Sequence, residues 1–160
     1  MEHKTVALIE SLLVSRGVIY KKFVHEPVRT SEEAAMVRPE YSLSQGAKAL
    51  IVRVKRSGEK FFVMVVVPGD KKFDSKKLKE VLGASDIRFA TPEEVGEITD
   101  GVKPGGVPPF GILWNLPVYS DISLYTNNEI IFNAGDRGVS MAITSADYRT
   151  VVNPHVVSIA

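Results

Sequence analysis

Ala47-Lys48-Ala49-Leu50-Ile51-Val52-Arg53-Val54 and Phe61-Phe62-Val63-Met64-Val65-Val66-Val67 flank the polar stretch Lys55-Arg56-Ser57-Gly58-Glu59-Lys60. Both flanking runs are rich in β-branched and aromatic residues, so they predict two strands joined by a polar hairpin connection. The second run is apolar at almost every position. A strand with one wet face would alternate, so this one is predicted to be central in its sheet and covered on both sides. Pro68-Gly69-Asp70 closes it.

Working outward, Val6, Ile9, Leu12 and Leu13 recur at helical spacing over residues 5–14, and Gly17 supplies the stop. Residues 18–24 read as a strand. Thr30-Ser31-Glu32-Glu33 has capping-box form, with Glu33 reaching back, and opens a short helix that must end before Pro39. Downstream, Asp74 or Ser75 caps a helix through Leu78, Val81 and Leu82, stopped at Gly83. Residues 87–90 form a short strand, and Thr91-Pro92-Glu93-Glu94 is a strong helix start. Residues 101–111 hold four glycines and three prolines and suit neither helix nor regular strand. Strands follow at 117–124, 129–133 and 139–144, and Ser145 caps a last helix through Val152. The expectation is one α+β domain over residues 1–160, with four or five helices packed around its strands.

Composition narrows the function. The 160 residues are 44% hydrophobic and 24% charged, as in an ordinary globular domain, and the net charge is +1. Blanket phosphate neutralisation would need a more basic chain, so any RNA contact should be small and local. Cysteine is absent, which excludes disulfides, thiolate nucleophiles and Cys-ligated metal. His3, His25 and His155 lie too far apart to match a zinc-chelating spacing. Nucleophile elbows, Walker loops and dinucleotide fingerprints are missing too. The start reads as an amphipathic segment, not a signal peptide, and the longest apolar runs reach about eight residues where a membrane span needs about twenty. A cytoplasmic protein without metal, cofactor or membrane partner is expected. If it is an enzyme, it must use positioned water, backbone donors and a few charged side chains.

Lys48 is the first candidate, because a lysine where a strand enters the core either snorkels at the strand end or aims an ammonium into a cleft. The second is Gly105-Gly106-Val107-Pro108-Pro109-Phe110-Gly111. Its glycines allow close backbone approach and its prolines stiffen the loop, which suits an anion or carbonyl oxygen as well as a plain structural turn. Asn133-Ala134-Gly135-Asp136-Arg137-Gly138 ends a strand in a turn that is commonly a solvated hairpin. Tyr20, His25 and Asp121 each also fit an ordinary packed or surface role.

Taken together, these stretches resemble the YbaK-type deacylase family, which is similar to the editing domain inserted in bacterial prolyl-tRNA synthetases. The resemblance is carried by His25-Glu26-Pro27, Ser31-Glu32-Glu33-Ala34-Ala35 and Gly46-Ala47-Lys48-Ala49-Leu50-Ile51-Val52. It continues through Val67-Pro68-Gly69-Asp70, Arg88-Phe89-Ala90-Thr91-Pro92-Glu93-Glu94-Val95, the stretch from Lys103 to Gly111, the Asp121 strand and Asn133-Ala134-Gly135. It implies a strongly curved, barrel-like mixed sheet and hydrolysis of the ester joining an amino acid to the tRNA 3′ end. It also implies that Lys48 is the family lysine and that residues 105–109 are its Gly-x-x-x-Pro loop. Lys48, Gly105 and Gly106 are then the expected catalytic groups. Tyr20, His25, Ala49, Val107, Pro108, Pro109, Phe110, Gly111 and Asp136 are the expected substrate contacts. Ala49 stands where many relatives have Thr or Asn, at a position tied to amino-acid specificity.

The expected substrate is cysteinyl- or alanyl-tRNA for proline, with the tRNA 3′ end as partner and a synthetase as a further one; the oligomeric state is open. Two rivals stand beside this reading: a non-catalytic module that binds RNA ends, nucleotides or a synthetase, and a hydrolase of small esters or amides.

Overall fold

The computed structural model describes residues 2–28 and 30–160. In chain order the elements are α1 (Lys4–Ser15), β1 (Lys21–Val24), α2 (Ser31–Val37), β2 (Ala47–Arg56), β3 (Glu59–Pro68), α3 (Ser75–Leu82), β4 (Asp86–Phe89) and α4 (Pro92–Thr99). Then follow β5 (Val118–Asp121), β6 (Glu129–Asn133), β7 (Val139–Thr144), α5 (Ser145–Val152) and β8 (His155–Val157), with short 3-10 turns at Leu43–Gln45, Gly111–Trp114 and Ile122–Thr126. The fold is α+β, with five α-helices among the described residues.

The β2–β3 hairpin pairs without a break from Ala47 opposite Pro68 to Arg56 opposite Glu59. The connection is therefore two residues, Ser57 and Gly58, both at positive φ (52° and 79°), and not six. Such a turn matches the twist of its strands, so the flanking polar residues pair although they lie beyond the covered part of the sheet. As expected, β3 is central, in a mixed sheet of order β4-β2-β3-β5-β8. Its apolar run alternates between two cores. Met64 and Val66 join Ile9, Phe110 and Tyr148 on one face, while Val63, Val65 and Val67 meet Leu78 of α3 and Ile159 on the other. Burial on both faces removes the need for any polar position.

The strands fall into two sheets joined at one point. β1, β7 and β6 form a three-stranded antiparallel sheet, which touches the larger one through a bridge between Gly46 and Ile131. Pairing goes no further because Gly46 closes the 3-10 turn at Leu43–Gln45, its N–H donating to Leu43 O. Among the described residues no closed barrel forms.

Other boundaries shift for local reasons. The strand read at 18–24 starts only at Lys21, since Val18 N–H is spent on Leu13 O at the end of α1. Thr144, not Ser145, caps α5 by accepting from Asp147 N–H. The strand read at 117–124 ends at Asp121, whose buried carboxylate accepts from Ser123 N–H (3.1 Å), Ile159 N–H (2.8 Å), Ala160 N–H (3.0 Å) and the Ser123 hydroxyl. Asp121 thus ties down the C-terminal segment that follows β8, a strand the sequence reading missed. No helix among the described residues is long and apolar enough to cross a membrane.

Candidate active site

A cavity of about 470 Å³ opens where the start of β2, the loop after β3, helix α2 and the end of β6 meet the glycine-proline loop. Lys48 and Ala49 line it from β2, and Gly105 and Val107 from the loop. The two stretches singled out for chemistry, separated by more than fifty residues in sequence, therefore share one hollow. Gly46 is the hinge of this arrangement: its carbonyl accepts from Gly69 N–H at 2.8 Å, which draws the loop after β3 against β2. Lys48 is half-buried as a residue, and its ammonium donates to Lys71 O at 3.2 Å. Among the described residues it has no carboxylate partner. Arg38, Lys48, Lys71 and Lys72 face the cavity against two acids, Glu32 and Asp70, so the hollow is positive on a nearly neutral protein.

The loop is held from two sides. Its carbonyls are captured in succession by the turn after β6: Arg137 donates to Pro104 O from Nε (3.0 Å) and from Nη2, Asn133 Nδ2 donates to Gly105 O, and Gly135 N–H donates to Gly106 O (2.9 Å). In a trans peptide the N–H of the next residue points opposite the carbonyl, and no peptide among the described residues is cis. The Gly105 and Val107 N–H groups therefore point away from their captured carbonyls, and among the described residues neither has an acceptor. Gly106 N–H is different, because it closes the turn by donating to Lys103 O at 2.9 Å. Gly105 sits at φ 87°, a conformation that favours glycine.

On the other side the loop is anchored in the core. Phe110 is fully buried, edge-on to Phe132 (5.1 Å) and Tyr148 (5.7 Å), and the Tyr148 hydroxyl donates to Pro109 O at 2.7 Å. A Cβ on Gly111 would come within 2.6 Å of Leu116 O, so that glycine serves close packing. Pro108, Pro109, Phe110 and Gly111, expected as substrate contacts, are buried outside the cavity lining and brace the loop.

Three more expected contacts lie off the cavity lining. The Tyr20 hydroxyl donates to Glu10 at 2.7 Å, which raises the tyrosine pKa and lowers that of the carboxylate. Asp136 accepts from Gly138 N–H (2.8 Å) and from His3 N–H (3.1 Å), closing its turn and tethering the start of α1. His25 Nε2 lies 2.6 Å from the Ser140 hydroxyl.

The sequence reading missed Arg38 and Tyr41, which line the cavity together with Asn133 from the end of β6. Tyr41 bonds Glu129, and burial together with that bond pushes its hydroxyl up to about 12. The only sequence signal for Arg38 was its place before Pro39, at the end of a capped helix. Among the described residues no group of three or more His, Cys, Asp or Glu side chains is placed to hold a metal ion.

Comparison with known proteins bears on this site. Residues 25–151, which include Lys48, the glycine-proline loop and the turn after β6, match the aminoacyl-tRNA editing domain family. The chain belongs to that family. The Escherichia coli K12 multifunctional Ser/Thr-tRNA deacylase ProXp-y is 33% identical over 149 residues, covering 92% of this chain and 88% of the relative. The proline–tRNA ligase of Aquifex aeolicus is 35% identical over 133 residues, which is 82% of this chain but 21% of that larger protein. A crystal structure proposed to be a trans-editing enzyme for prolyl-tRNA synthetase superposes with a TM-score of 0.82 at 26% identity, covering 99% of this chain and 98% of the other. The class of activity is hydrolysis of the aminoacyl-tRNA ester, in the service of translation fidelity.

Proposed function

We propose that this editing-domain protein works in trans, as a separate deacylase that takes the 3′ end of a mischarged tRNA into the Lys48 cavity and hydrolyses its ester without metal or cofactor. The observation that carries the proposal is the meeting of Lys48 with the Gly105–Val107 turn on one positively charged hollow.

An aminoacyl ester is already activated, so catalysis requires a positioned water and a stabilised oxyanion. Water attacks the ester carbonyl carbon, and the carbonyl oxygen becomes the oxyanion. Gly105 and Val107 N–H are the donors assigned to it here, since Gly106 N–H is committed inside the turn. The Lys48 ammonium offsets the developing charge. The neighbouring ribose hydroxyl of the tRNA holds the water and relays its proton. Collapse breaks the ester C–O bond, the ribose oxygen takes the relayed proton, and the amino acid leaves as a carboxylate after its carboxyl proton passes to solvent.

The apolar Ala49 and Val107 on the cavity wall suit a small amino acid, and the family resemblance favours cysteinyl- or alanyl-tRNA for proline. The name of the E. coli relative favours seryl- or threonyl-tRNA as a second reading. Pocket volume separates these weakly, since a methylene is worth only about 1–3 kcal/mol. Incubating the protein in EDTA with a panel of alanyl-, cysteinyl-, seryl-, threonyl- and prolyl-tRNAs tests both. Hydrolysis of one or more mischarged pairs with prolyl-tRNA spared is the expected result. Saturable binding with no amino acid released, or hydrolysis of simple esters alone, would sink the proposal.

A further inference from the structure

Arg38 stands apart from the other cations among the described residues. It follows α2, and because Pro39 comes next the helix cannot continue, so the side chain is free to fold back. Its Nε donates to Ala34 O at 3.2 Å and its Nη1 to the buried Ser140 hydroxyl at 3.1 Å. His25 Nε2, 2.6 Å from that hydroxyl, braces the same serine. The remaining nitrogen, Nη2, has no acceptor among the described residues and lies 3.9 Å from where a Cβ on Gly46 would stand, at the cavity wall. Among the described residues every hydrogen-bond partner of the guanidinium is neutral. Burial without a carboxylate lowers its pKa to about 10. A half-buried charge held in a fixed orientation by neutral groups is costly to the fold, and the cost is recovered when an anion arrives.

Resting on the deacylase reading, we infer that Arg38 is the anion receptor of the cavity and takes the phosphodiester next to the terminal adenosine of the tRNA. The chemistry of the substrate selects this partner. In an aminoacyl-tRNA the amino-acid carboxyl is esterified and its amino group is cationic, so the anions present are phosphodiesters. A planar guanidinium fork fits a phosphate better than a lysine does. This assignment leaves Lys48 for the ester's developing charge, and it gives His25 and Ser140 a positioning role behind Arg38.

The test titrates the whole protein with adenosine, AMP and inorganic phosphate, followed by NMR shifts, alongside aminoacyl-tRNA deacylation kinetics. In the wild type AMP should bind about tenfold or more tighter than adenosine, the range of one charged hydrogen-bonding group. Arg38→Ala should erase that preference, keep the adenosine affinity, and raise KM for aminoacyl-tRNA about tenfold or more with kcat little changed. The slope of log affinity against log salt should also shrink by about 0.7, one single-strand phosphate contact. Should Arg38→Ala fail to fold, Arg38→Lys keeps the stem and charge, and its AMP preference should still drop several-fold. An unchanged ratio of AMP to adenosine affinity in the variants overturns the inference, as does inorganic phosphate binding as tightly as AMP. A clear AMP preference lost in Arg38→Ala, in a protein that hydrolyses no aminoacyl-tRNA, sinks the deacylase reading while upholding the anion site.

Discussion

Releasing the glycine-proline loop from one tether should lower turnover without weakening substrate binding. Arg137 is the tether to cut, because both its bonds fall on one oxygen, Pro104 O, and it does not line the cavity. Hydrogen bonds from a charged donor contribute about 1.5–3 kcal/mol, and here two donors share one acceptor. Gly135 N–H and Asn133 still hold the neighbouring carbonyls. Arg137→Ala should therefore cost about 1–2 kcal/mol, or roughly 2–8 °C in Tm for a chain of this length. Complete loss of an oxyanion donor slows a reaction about 100- to 1,000-fold, and cutting one tether of three should give a fraction of that, about tenfold in kcat. Single-turnover deacylation at saturating protein measures this, with KM from a concentration series. Arg137→Lys, with one donor end in place of a fork, should fall between. A variant with lowered Tm and kcat within about twofold of wild type would refute the idea that the captured carbonyls aim the donors.

Tyr148→Phe removes the buried hydroxyl that holds Pro109 O, leaving a carbonyl unsatisfied at a cost of about 1–3 kcal/mol, and differential scanning calorimetry should record a lower Tm together with slower deacylation. Asp121→Asn should destabilise by about 2 kcal/mol, because an amide nitrogen must face N–H or O–H donors that now meet an oxygen, yet kcat should hold, since the residue is a clamp for the C-terminus. Burial pushes the Asp121 carboxyl up, but the hydrogen bonds from Ser123, Ile159 and Ala160 together outweigh it and hold its pKa below the ordinary value. Its stabilising effect is therefore fully present above the unfolded-state value of about 3.9 and is lost as pH falls through the lower folded value. Urea melts of wild type and Asp121→Asn should converge at the acid end of that window.

Hydrophobic pattern and caps made the core of this fold legible. The unbroken run in β3 announced a strand covered on both faces, and Thr91-Pro92-Glu93-Glu94 announced α4 with its capping box. How the start of β2 meets β6 was not legible, because the two are joined by a single bridge, Gly46 to Ile131, between residues far apart in sequence and not by any local preference. In the site, Lys48 and the loop stood out by residue type. The distinction between Gly105, Gly106 and Val107 did not, since which N–H closes a turn is a matter of backbone geometry. Residues 133–138 read as a solvated hairpin, yet Asn133, Gly135 and Arg137 grip the loop across a gap of about thirty residues in sequence. Arg38 was hidden because nothing local tells an exposed arginine from one folded back against a buried serine.

The measurement that bears most directly on the site is single-turnover hydrolysis of a mischarged tRNA by Lys48→Ala, beside a thermal melt of the same variant. Its fold should be intact, since among the described residues the ammonium makes one hydrogen bond, to Lys71 O. Its rate should fall about 100- to 1,000-fold, the scale of losing one group that stabilises the oxyanion. A Lys48→Ala protein that melts like wild type and deacylates at the wild-type rate would contradict the placement of the chemistry in this cavity.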